Sequence, residues 1–151
     1  MKKHTQIPPI LLTRALFLWI KGYVHFPKDQ NGLIIKEIEY FLVFRKVIVT
    51  PKDEHQNSQS ITLKIFFRFK RFSIKINRIL SLIPIPFIIA QPGFRSKTWA
   101  FGKDTGTFHG LYKWDSIENA KKYENSLPLR LMKRRAVSNT LIYEISDPER
   151  I

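Results

Sequence analysis

The second half of the chain contains the residue types from which a small-molecule site is built: rings at Trp99, Phe101, Tyr112, Trp114 and Tyr123, and polar groups at Asn77, Arg95 and His109. Apolar walls with a few convergent polar groups are the usual make-up of such a pocket. The guanidinium of Arg95 can hold a carboxylate or enolate oxygen through two parallel hydrogen bonds. Tyr112 or His109 can then move the proton of an acid–base step. Lys97, on the same strand face as Arg95, offers only a point charge. Arg95→Lys is therefore expected to weaken the binding of an anion, and Lys97→Arg to matter little. The competing reading makes Trp99, Tyr112 and Trp114 core aromatics and Arg95 a surface cation, as such residues often are.

Several other chemistries lack the residues they need. The chain has no cysteine, so disulfides, thiolate metal sites and cysteine nucleophiles are excluded. Of His4, His25, His55 and His109, only His109 falls in the regular region, and no second ligand stands at a suitable spacing. Metal sites need several convergent ligands, so His109 reads as a packed or rim residue, and no metal or cofactor is expected. No glycine-rich phosphate loop, zinc-protease motif or nucleophile elbow is present. No acid occurs between Glu54 and Asp104, which removes paired-carboxylate chemistry from the middle of the chain.

The elements that would position these residues follow from hydrophobic period and turn chemistry. Residues 61–69 alternate Leu63, Ile65, Phe67 and Phe69 against Lys64, Phe66 and Arg68, a strand pattern. Ser73 can cap a helix from Ile74 through Leu80, with Pro84 and Pro86 ending regular geometry. Residues 94–101 and 107–114 read as strands joined by the turn 103–106, making a hairpin. Asp115 or Ser116 caps a helix to about Ser126, and Pro128 opens a further helical stretch through Arg135. Residues 137–145 read as the last strand. The order β, α, β, β, α, β predicts a ferredoxin-like α+β domain over 61–151, an antiparallel sheet with helices on one face.

Residues 1–60 read as an extension, with an apolar helix at 9–21, a strand or hairpin at 36–49 and a polar loop at 51–60. The helix is too short to span a bilayer, and Arg14, Pro8 and Pro9 argue against an export signal, so a cytoplasmic protein is expected. So apolar a helix is either internal or laid on a membrane surface; burial is the expectation. The 151 residues carry 26 Lys and Arg against 12 Asp and Glu, a net charge of +14. That field attracts phosphates, anionic lipid or carboxylates. Peripheral contact with an anionic membrane is the alternative function. Nucleic-acid binding ranks lower, because the rings at 66–72 alternate as a buried strand would and no RNA-binding octamer is present.

The run 92–99 (PGFRSKTW), then 105–115 (TGTFHGLYKWD), then Ala120 and Tyr123, resembles the core of the dimeric α+β barrel superfamily, more narrowly the monooxygenases related to antibiotic biosynthesis. The resemblance covers residues 61–146. It implies a homodimer with two sheets face to face and a pocket in each subunit between sheet and helices. It also implies a small-molecule ligand, aromatic or anionic, and monooxygenase-like activity without a cofactor. Catalysis would then fall to His109 and Tyr112, and binding to Asn77, Arg95, Trp99, Trp114 and Tyr123. Gly93 and Gly110 would serve turns and close packing. The same superfamily contains isomerases, lyases and haem-degrading enzymes, so fold does not fix chemistry.

Overall fold

The computed structural model describes residues 8–50 and 60–146; the polar loop expected at 51–60 lies almost wholly outside them. The elements run α1 (Pro8–Ile20), β1 (Val24–His25), β2 (Ile34–Lys36), β3 (Tyr40–Val49), β4 (Ile61–Phe67), α2 (Ile74–Leu80), α3 (Ile85–Ile89), β5 (Phe94–Phe101), β6 (Phe108–Trp114), α4 (Ile117–Tyr123), α5 (Leu127–Arg135), a 3₁₀ turn (Ser138–Thr140) and β7 (Ile142–Ser146). The strands form one antiparallel sheet in the order β1-β3-β5-β6-β4-β7, with β2 beside β3. Its β5-β6-β4-β7 portion is the ferredoxin-like arrangement that the order of elements predicts.

Local chemistry explains most boundaries. The Ser73 hydroxyl accepts from Ile76 N to start α2, Ser116 from Asn119 N to start α4, and Ser126 from Leu129 N to start α5. Pro84 and Pro86 do not end helical geometry as expected. Instead Pro84 caps α3 and Pro86 sits in its first turn, where a missing N–H costs nothing. Gly93 has φ of 76° and its carbonyl accepts from Asp115 N at 3.0 Å; a β-carbon there would run into the Asp115 carboxylate and the Asn119 amide.

The N-terminal segment is part of the same sheet. β3 pairs with β5 from Leu42↔Phe101 to Ile48↔Ser96, with a bulge between Val43 and Arg45. The bulge changes the phase of the alternation. Phe41 and Val43 face one side, whereas Val47 and Val49 join the main core under the helices.

The main core lies between the sheet and the helices, and the opposite face holds a smaller cluster of Phe41, Val43, Phe66 and Ala100 with Ile35 packed against it. Phe66, which the alternation sets with Lys64 and Arg68 on the strand face away from the main core, is thus covered within the chain and only 6% exposed. The turn after β2 also folds toward this face, where Glu37 pairs with Lys64 at 2.8 Å.

Candidate functional site

A cavity of about 460 Å³ opens between the sheet and the α2, α3 and α5 helices. Phe67, Trp99, Phe108 and Tyr112 supply its sheet wall, and Phe87, Ile88 and Met132 belong to its helical wall. No Asp or Glu is among the lining residues, but Lys97, Arg134 and Arg135 are. An apolar chamber with cations and no carboxylate suits an apolar ligand that carries negative charge.

Lys97 is the central polar group. It is 8% exposed, and its Nζ lies 4.5 Å from the Trp99 ring centroid and 4.6 Å from that of Tyr112. Burial pushes its ammonium from the usual 10.5 down to about 7, and the charge of Arg45 pushes in the same direction. Near neutral pH this side chain can both hold an anion and accept a proton. Gly110, opposite Trp99 on β6, makes room for it: a β-carbon there would stand 2.8 Å from Tyr112 Cε2 and 3.3 Å from Lys97 Cε.

The hydroxyls of Tyr112, whose ring Lys97 covers, and Tyr123 meet at 3.1 Å. Burial raises both phenols above their ordinary range, so both stay protonated; one donates to the other, which leaves the pair one O–H to donate. Trp114, fully buried, backs them, with ring centroids 6.3 Å from Tyr112 and 5.0 Å from Tyr123. Behind Trp99, the Arg45 guanidinium lies 5.4 Å from its ring centroid and donates to Ser81 Oγ at 2.6 Å and Arg78 O at 3.1 Å. At the other end, Arg135 Nη2 donates to Asn77 Oδ1 at 2.5 Å. Asn77 in turn donates to Arg71 O at 2.9 Å, bracing the turn in which Phe72 has φ of 70°. Asn77 is therefore a positioning residue for Arg135.

Of the residues expected at a site, the structure brings Trp99, Tyr112 and Tyr123 together at the cavity, with Trp114 and Asn77 behind its walls. Arg95 sits at a bulge between Phe94 and Ser96 and is not among the lining residues; Lys97 occupies the place expected for it. His109 is among the lining residues of the cavity. Its ring lies on the opposite face, stacked on Phe66 with centroids 4.2 Å apart and planes at 9°. Sequence reasoning passed over Lys97, Arg45 and Arg135. The signal for Lys97 was its place in phase with Trp99 and Phe101, two large rings on the same strand face. Among the described residues, no three His, Asp or Glu side chains converge as metal ligands.

The His109 ring has its own consequence. Its Nδ1 donates to Ile65 O at 3.3 Å, so Nε2 is the bare nitrogen, 3.9 Å from Glu37 Oε1. Burial outweighs that carboxylate and lowers the imidazole from 6.5 to about 4. Between those values the unfolded chain binds a proton that the folded one refuses, so stability falls as pH drops from 6.5 to 4. The loss should be up to about 3 kcal/mol. Denaturant unfolding of the parent and of His109→Phe across this range checks it: the parent should lose stability relative to the variant, and parallel profiles would count against the assignment.

Neither a protein family nor a curated protein sequence matches the chain. Among solved structures it is similar to an anthrone oxidase-like protein, with TM-score 0.52 and 13% identity over 72% of this chain and 54% of that one. It is also similar to a heme-degrading enzyme from Listeria monocytogenes, with TM-score 0.55 and 9% identity over 82% of this chain and 95% of that one. The chain thus spans about half the length of the anthrone oxidase-like protein. At such identities the likeness is one of fold.

Proposed function

We propose that the chain binds a small, mainly apolar anion in this cavity and oxidises it without a cofactor. The observation that carries the reading is Lys97, a buried cation between two rings in a chamber without a carboxylate. The neutral amine of Lys97 takes a proton from an acidic carbon or phenol of the substrate. The resulting ammonium holds the anion, and the Tyr112–Tyr123 pair, in which one hydroxyl donates to the other, has one further O–H to offer its oxygen. Such an electron-rich anion reacts with dioxygen itself: a CH₂ group and O₂ become a carbonyl group and water. The anthrone oxidase-like and heme-degrading proteins that share the fold make an oxidative role consistent, though their chemistry is their own.

Calorimetric titration with 2-naphthoate, in two buffers of different ionisation enthalpy at a pH above 7, tests the binding step. The anion should raise the pKa of Lys97, so proton uptake should accompany binding. Lys97→Met should weaken it roughly tenfold or more, about 1.4 kcal/mol. Equal affinity for naphthalene methanol, with no proton uptake, would sink the reading. Dioxygen consumption with an anthrone-type substrate then tests the oxidation.

A further inference from the structure

The helical side of the molecule has an outer surface that water alone does not explain. α1 sends Leu11 and Ala15 into the core, with Leu18 packed beside them. Its other sides present Ile10, Leu16, Phe17, Trp19 and Ile20, each more than half exposed. It was expected to be internal, yet only a narrow stripe of it is. α1 lies against α3 and α3 against α5, and the same side adds Ile79, Leu82 and Ile83, all at least half exposed. Isolated apolar residues on a surface are ordinary, but a set of this size on one side of the molecule marks a contact face.

Charge identifies the occupant. No acid occurs in residues 8–28, 55–103 or 125–143, which include all of α1, α2, α3 and α5. Exposed cations do occur there, among them Arg14, Lys21, Lys75, Arg130 and Arg134. We infer that this helical face docks on an anionic lipid bilayer, with α1 lying in the interface. A 13-residue helix is too short to cross, and no helix among the described residues is long and apolar enough to do so. Leucine, phenylalanine and tryptophan side chains suit the boundary between headgroups and acyl chains, and lysine and arginine attract anionic headgroups. A second copy of the chain fits less well, because two such faces would oppose cation to cation with no carboxylate between them.

The cavity mouth belongs to this face. Ile83, Leu131 and Arg134 line the cavity and are also exposed. Access of a lipid-dissolved ligand to the cavity rests on the function proposed above; docking itself does not.

Sedimentation of the full chain with phosphatidylcholine vesicles, with and without phosphatidylglycerol, tests the inference. The protein should pellet with the anionic vesicles and be released as salt rises. Trp99 and Trp114 are buried, so a blue shift of emission on vesicle addition would report Trp19. Phe17→Glu with Trp19→Glu should weaken vesicle binding at least about tenfold, and Leu82→Glu should weaken it separately. These positions are exposed, so thermal unfolding should match the parent. Lys97→Met should bind vesicles as the parent does, which separates failure of docking from failure of the ligand reading. Protein left in the supernatant with anionic vesicles at low salt would overturn the inference. So would equal binding to pure phosphatidylcholine, or a dimer that the Phe17 and Trp19 substitutions dissociate.

Discussion

Replacing Lys97 by Met is expected to stabilise the ligand-free protein at pH 7 by up to about 4 kcal/mol. The cause is the ammonium, which burial carries from 10.5 down to about 7. Between those values the unfolded chain holds a proton that the folded chain does not, so the parent gains stability as pH rises through the window. Below pH 7 both states are protonated and the penalty is complete. Above 10.5 both are neutral and it vanishes. The variant lacks this slope. Denaturant unfolding of both proteins at a series of pH values measures it, and a variant that tracks the parent throughout would show that Lys97 is not desolvated. Greater stability with weaker 2-naphthoate binding is the pattern of a residue kept for function at a cost in stability.

Gly110→Ala should cost roughly 1–3 kcal/mol of stability and most of the ligand affinity. The Ala β-carbon would stand 2.8 Å from Tyr112 Cε2. The backbone cannot retreat, because Gly110 is paired to Ile65 on one side and Trp99 on the other. The Tyr112 ring must therefore swing, which breaks its 3.1 Å contact with Tyr123 and disturbs the place of Lys97. Calorimetry with 2-naphthoate and thermal unfolding read the two effects together. Unchanged affinity would mean that Tyr112 does not shape the ligand's place.

The fold was legible because its signals are local. Alternation through Leu63, Ile65 and Phe67, serine caps at Ser73 and Ser116, and the turn between the two central strands each depend on near neighbours in the chain. Together they dictate the βαββαβ order. The short helix α3 was missed because proline stops a helix only beyond its first turn, and residue type alone does not say which turn it occupies.

The site was legible only in part, for a different reason. Alternation puts His109 and Tyr112, three residues apart on β6, on opposite faces, but it does not say which face meets the helices, so either could be proposed as the proton carrier. Bulges after Val43 and Phe94 shift the phase, which no count along the strand reveals. The sequence by itself determined the strands and helices of the βαββαβ unit, the caps, the aromatic content of the walls and the absence of acids from α1, α2, α3 and α5. Only the tertiary structure decided that Lys97 rather than Arg95 reaches the cavity, that Arg45 stands behind Trp99, and that α1 turns its apolar side outward. Burial of a charge and exposure of an apolar face are properties of neighbours distant in the chain, and those neighbours exist only once the sheet and helices have packed.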